Sequence, residues 1–213
     1  MNAKVKGGAK ARSREWIAGL VVICIGAPLV FLYARAMAEG EVRRHEAPLR
    51  AILGDTSFER LARGEKTEEH YYGNELLAPD FTLVDRHGKP WRLRDQRGKV
   101  VVMNFWTITC QPCVEELPSF MDLDQLAKQR GDDIEIVAVT TDKDWSEVAA
   151  LFPPGANLQV LFDPERKVVR DKFGTKLFPE TWVIDREGVV RLRVDGRRDW
   201  SEPLALDAIE RFL

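Results

Sequence analysis

A mixed α/β sheet with helices on both faces is the architecture this sequence predicts, and three observations predict it. From Leu76 onward, short apolar runs alternate with stretches of helical periodicity. Two of the runs, Val100–Trp106 and Ile134–Thr140, are apolar almost without interruption, as strands covered on both faces are. The last two, Thr181–Asp185 and Val189–Val194, flank the turn Arg186-Glu187-Gly188 as the arms of an antiparallel hairpin. Strand–helix alternation closed by a hairpin gives a sheet with both parallel and antiparallel neighbours.

The elements follow in order. Phe81–Val84 and Trp91–Leu93 read as short strands around the turn-prone Asp85-Arg86-His87-Gly88. Val100–Trp106, broken only by Asn104, leads into a helix from about Pro112 to Arg130. Ile134–Thr140 is the next strand, and Asp144–Phe152 a short helix stopped by Pro153-Pro154-Gly155. Leu158–Phe162 is a strand, Pro164–Phe173 a helix stopped by Gly174, and Glu202–Leu213 the closing helix.

Composition sets the outer limits. With 213 residues, 45% apolar and 31% charged, the chain has the makeup of a globular protein with a core. A net charge of −2 leaves no electrostatic footprint for nucleic acid. Three cysteines are too few for a disulfide-stapled scaffold, and Cys24 lies inside an apolar run as inert packing. That leaves Cys110 and Cys113 for chemistry.

The N-terminus carries a membrane signal. Five basic residues from Lys4 to Arg14 precede the uncharged run Trp16–Ala34, 19 residues long. As a helix it spans roughly 28 Å, against a hydrocarbon core of about 30 Å. The expected organisation is a cytoplasmic basic tail at 1–15, a signal anchor in the bilayer at 16–37 and a charged, partly helical spacer at 38–75. The exported domain then occupies 76–213. The basic cluster before the span keeps the N-terminus inside and sends the rest across the inner membrane to the periplasmic side. A cleaved signal peptide, with Ala36-Met37-Ala38 as its site, is the alternative, and the length of the apolar run argues for the anchor. In the spacer, Leu49, Ile52 and Leu53 are placed for one face of a short helix.

Cys110-Gln111-Pro112-Cys113 falls where a buried strand turns into a helix. The first turn of a helix has unpaired N–H groups and a partial positive charge, which favour a thiolate. Pro112 has the φ that such a turn needs. Cys110, outermost, is the attacking thiolate and Cys113, further into the helix, resolves the mixed disulfide. Other uses of the pair are half a zinc site, an inert core pair, or a Cu(I) site for delivery to an assembling oxidase. Zinc needs two more ligands, and His45, His70 and His87 are not spaced to supply them. Soft thiolates do suit Cu(I), so copper stays open here.

Three segments, Ala78–Leu83, Gly98–Trp106 and Cys110–Cys113, together resemble the membrane-tethered, extracytoplasmic thioredoxin-like proteins of the TlpA, ResA and CcmG group. The resemblance runs from about Leu76 to Leu213. It implies a thioredoxin-like fold with the helix and strand at 144–162 as an insertion. It also implies reducing work on exported proteins, often in cytochrome c maturation. The expected partners are exported protein disulfides, with apocytochrome c as one candidate, and a membrane electron donor; no cofactor or metal is expected.

Further residues follow from the resemblance. Glu116 matches an acidic residue three beyond the second cysteine, with Pro118 completing the pattern. On a helix, Glu116 lies about 60° from Cys113 and Glu115 about 160° away, so Glu116 is the carboxylate that approaches the buried sulfur. Geometry leaves a helix-dipole role open for it; the resemblance implies a catalytic proton carrier, the more so because Asn104 stands where thioredoxins bury an Asp. Pro179 matches a cis-proline that faces the cysteines, with Phe178 before it pairing with the substrate chain. Thr109, Leu177 and Phe178 depart from the group's usual residues, which bears on substrate choice. A peroxidase is the other enzyme class in view, since Ala78–Leu83 and Thr107 also fit peroxiredoxins, but Met103 stands where their motif has proline.

Overall fold

The strand Val100–Trp106 is the structural axis of the domain. All seven of its side chains are buried, and they alternate between the two faces of the sheet. Val100, Val102 and Trp106 enter one core, while Val101, Met103 and Phe105 enter the other. Asn104 therefore stands on the same face as Val102 and Trp106, the only polar side chain of the strand.

The computed structural model describes residues 26–63, 70–72, 76–131 and 133–213. Their elements are α1 (Ala27–Leu53), α2 (Asp55–Ala62), β1 (His70–Tyr72), β2 (Thr82–Asp85), β3 (Pro90–Arg92), β4 (Val100–Trp106), α3 (Gln111–Arg130) and β5 (Ile134–Thr140). Then come α4 (Trp145–Val148), β6 (Gln159–Phe162), β7 (Glu180–Ile184), β8 (Val190–Asp195) and α5 (Pro203–Glu210). The eight strands form one sheet in the order β1-β8-β7-β4-β5-β6-β2-β3. β4, β5 and β6 are parallel, and every other neighbouring pair is antiparallel. This is the mixed α/β sheet of a thioredoxin-like fold.

One core lies between the sheet and helices α3 and α5; it holds Leu117, Phe120, Leu123, Leu206 and Ile209. The other is filled by Phe81, Trp91, Leu93, Phe173 and Trp182. Helix α3 buries Cys113, Glu116, Leu117, Phe120, Leu123, Asp124 and Ala127, a spacing of three and four that makes one face. It ends at Gly131, whose φ of 75° is the left-handed turn that glycine takes without strain.

The sequence reading and the structure differ in three places. The helix expected over Pro164–Phe173 is a single π-type turn, Lys167–Lys172. The buried Asp163 carboxylate accepts the amides of Lys167, Val168 and Val169 at 3.0, 2.8 and 2.8 Å, which fixes where that turn starts. In place of short helices between anchor and domain, one helix, Ala27–Leu53, starts within the expected anchor and runs through Pro48, and α2 follows Gly54. The segment read as a spacer is also partly built into the fold: Ile52 and Leu53 are buried in the α3 core, and β1 pairs with β8.

By contacts the chain divides into Met1–Glu46 and Ala47–Leu213. The described part of the first unit is helical and exposed, with an Arg35–Glu39 ion pair at 2.8 Å. Residues 16–25, ten of the 19 in the uncharged run and Cys24 among them, lie outside the described residues, as does the basic tail. Among the described residues no helix is long and apolar enough to cross a membrane.

Candidate active site

At the end of β4 the chain turns through Thr107-Ile108-Thr109 before α3 begins, and a buried carboxylate holds that turn. Asp142, just past β5, accepts the Thr107 hydroxyl at 2.8 Å and the Ile108 amide at 2.9 Å. The Thr140 hydroxyl donates to the same carboxylate at 2.5 Å. Parallel pairing of β4 with β5 sets Trp106 beside Thr140, so the loops that follow both strands meet.

Cys110 is the N-cap of α3. Its sulfur accepts the Cys113 backbone N–H at 3.3 Å, and the two cysteines are joined as a disulfide with Cα atoms 5.3 Å apart. An N–H aimed at the sulfur, at the positive end of a 20-residue helix, stabilises that sulfur as a thiolate once the bond is reduced. Cys110 is half-buried, whereas Cys113 is 2% exposed. An incoming partner can reach the first sulfur, and the second stays inside.

Glu116, one helical turn beyond Cys113, is buried at 2% exposure, while Glu115 faces solvent and pairs with Arg197 at 3.2 Å. Three N–H groups hold the Glu116 carboxylate. Oε1 accepts the Trp200 indole N–H at 2.7 Å and the Arg198 amide at 2.9 Å; Oε2 accepts the Asn104 amide at 3.0 Å. Asn104 also donates to Thr181 Oγ1 at 2.9 Å. Burial raises the Glu116 pKa above the ordinary carboxylate range, against the pull of these donors and the Arg198 charge. Such a carboxylate takes up a proton more readily than an exposed one.

The Phe178–Pro179 peptide bond is cis, the isomer the resemblance implies. Phe178 is half-buried and packs against both cores; Leu177 beside it is 81% exposed. Glu180, next along, is buried and accepts Thr175 Oγ1 at 2.5 Å, Trp182 Nε1 at 2.6 Å and the Arg193 guanidinium at 2.9 Å. It anchors the strand that the proline begins.

The structure thus joins Cys110 to Cys113, puts Glu116 on the same buried helix face as Cys113, and gives Phe178 and Pro179 the cis geometry. Sequence reasoning missed Trp200, Arg198, Thr181 and Asp142. A tryptophan set in the charged stretch Gly196-Arg197-Arg198-Asp199-Trp200 was the one visible sign of the first. Among the described residues no three His, Cys, Asp or Glu side chains converge as a metal site. What the arrangement can do is exchange thiols and disulfides: an accessible sulfur at a helix start, a shielded partner, and a buried carboxylate one turn behind.

The chain is similar to several known proteins. Residues 76–193 match the AhpC/TSA family. The thiol-disulfide oxidoreductase ResA of Geobacillus thermodenitrificans is 33% identical over 149 residues, covering 70% of this chain and 82% of the relative. ResA of Bacillus subtilis is 36% identical over 120 residues, 56% of this chain and 65% of the relative. A crystal structure from Chlorobium tepidum, described as a thiol:disulfide interchange protein DsbE, superposes with a TM-score of 0.54 at 29% identity. That likeness covers 66% of this chain and 95% of the other.

Proposed function

Because this chain belongs to the AhpC/TSA family and is a thiol-disulfide oxidoreductase of the ResA-like kind, we propose that it works as a dithiol reductase of exported proteins. The observation that carries this reading is the Cys110–Cys113 disulfide at the start of α3 with Glu116 buried one turn behind it. In the reduced protein the Cys110 thiolate attacks a sulfur of the substrate disulfide, and the other substrate sulfur leaves as a thiolate. Cys113 then gives its proton to Glu116 and attacks Cys110 Sγ, releasing the substrate's second thiolate. Two electrons have passed to the substrate, and the Cys110–Cys113 disulfide remains.

The compartment is part of the same proposal. The basic tail and the uncharged run at 16–34 support a single-pass anchor in the inner membrane, with the domain on the periplasmic side. There a membrane donor returns electrons to the pair, and apocytochrome c disulfides are the substrates the resemblance favours. Exposed Leu177 and half-buried Phe178, next to the cis-proline, are the apolar residues offered to a substrate chain in this reading.

Two measurements test this. Cys113→Ala should accumulate mixed disulfides with exported proteins through Cys110, and Cys110→Ser should accumulate none. Equal trapping through both sulfurs would overturn the assigned roles. Protease added to spheroplasts should digest the domain, and its protection would overturn the topology.

A further inference from the structure

Glu116 is clamped unevenly, and the unevenness has a chemical meaning. A carboxylate oxygen has two lone-pair positions for donors. Oε1 has both filled, by the Trp200 indole N–H at 2.7 Å and the Arg198 amide at 2.9 Å. Among the described residues Oε2 receives one donor, the Asn104 amide at 3.0 Å. We propose that Trp200 is a positioning residue for Glu116, occupying Oε1 so that Oε2 is the oxygen that receives the Cys113 proton. The inference rests on the reading of Glu116 as proton acceptor given above.

Trp200 is built for that task. It is 1% exposed, and its ring meets Phe120 of α3 edge-on, with centroids 6.0 Å apart and planes at 81°. Its backbone N–H donates to Ser119 Oγ at 3.2 Å, and that hydroxyl donates to the Glu116 carbonyl at 2.8 Å. The residue is thus tied to the Glu116 turn through both its main chain and its side chain. An indole N–H donates and never accepts, so a proton on Oε1 would face two donors with nowhere to go. Oε2 meets a single donor among the described residues.

Few charges compete for the same carboxylate. From α3 the titratable neighbours are Cys113, buried, and Glu115, which faces solvent against Arg197. β4 and β7 contribute the neutral Asn104 and Thr181. The loop after β8 brings the Arg198 charge, and Asp195 acts on Arg198 in turn. Trp200 is accordingly the neutral donor whose removal changes the Glu116 proton affinity without changing the local charge.

The experiment uses the full chain and Ellman's disulfide reagent. The reduced protein releases a first nitrothiobenzoate when Cys110 attacks and a second when Cys113 resolves the adduct, so the two steps separate in time. Trp200→Phe keeps the contact with Phe120 and deletes the N–H. Losing a donor to the ionised form raises the proton affinity of Glu116. The acid limb of the second phase should therefore move up by about one pH unit, a tenfold change in proton affinity, while the first phase stays put. In a Glu116→Gln background the same substitution should move nothing. A Trp200→Phe limb that coincides with wild type, or an equal shift in both backgrounds, overturns the inference. If Glu116→Gln alone leaves the second phase unchanged, the proton-acceptor reading itself fails. Should Trp200→Phe not fold, the wild-type Trp200 indole proton decides by nuclear magnetic resonance: its resonance should follow the Glu116 titration and lose that transition in Glu116→Gln.

Discussion

At Glu116 burial and hydrogen bonding pull the carboxylate in opposite directions, and the balance can be read as a pH dependence. Burial raises its pKa, so the native protein keeps this proton to a higher pH than the unfolded chain does. Between the two values the native state binds more protons, and stability falls as pH rises through that window, then levels off above it. Glu116→Gln has no proton to lose. Chemical denaturation of both proteins across the acidic range should give a wild-type-minus-variant difference that declines with pH; a rising or flat difference would sink the account. Asp124 is also raised by burial and, being present in both proteins, cancels. Cys110, Cys113 and Glu116 were legible in the sequence because they lie within seven residues on one helix, where spacing alone fixes which side chains share a face. The donors that define the carboxylate were not. Arg198 and Trp200 are 82 and 84 positions away, and their approach follows from how the chain leaves β8.

Among the elements, the turn between β4 and α3 depends on a residue outside both. Asp142 gathers the Thr107 hydroxyl, the Ile108 amide and the Thr140 hydroxyl, so the entrance to α3 is held from β5. Asp142→Ala leaves those donors without an acceptor and should cost on the order of 1–3 kcal/mol in urea denaturation. It should also slow the first nitrothiobenzoate release, because the Cys110 loop is no longer fixed; Asp142→Asn, which keeps an acceptor, should lose less. A variant with wild-type stability and attack rate would remove Asp142 from the account. Strands β4 to β8 and helix α3 were legible to within a residue or two because their apolar periods are long and uninterrupted. The turn at Lys167–Lys172 was not, since Asp163 sets its start through three backbone contacts that no periodicity reports.

For the molecule as a whole, the core reaches further toward the N-terminus than the apolar pattern suggested. Ile52 is 2% exposed in the same cluster as Phe120 and Trp200, and its carbonyl accepts the Arg198 guanidinium at 2.7 Å. Ile52→Ala should therefore cost about 2–5 kcal/mol, as a core truncation does; a change within about 0.5 kcal/mol would return the segment to the status of a spacer. This contribution was hidden because charged residues surround Leu49, Ile52 and Leu53, and a sparse apolar stripe looks alike on a tether and on a packed helix. The ends of the sheet have a consequence of their own. β3 is three residues long and opens with Pro90, which has no N–H to offer, and β1 closes the opposite edge with three described residues. A protein that works on other chains while they are partly unfolded is exposed to strand-by-strand aggregation with them. At the β3 margin the short strand and its proline leave such a chain little to pair with, which is the protection an enzyme acting on protein disulfides needs.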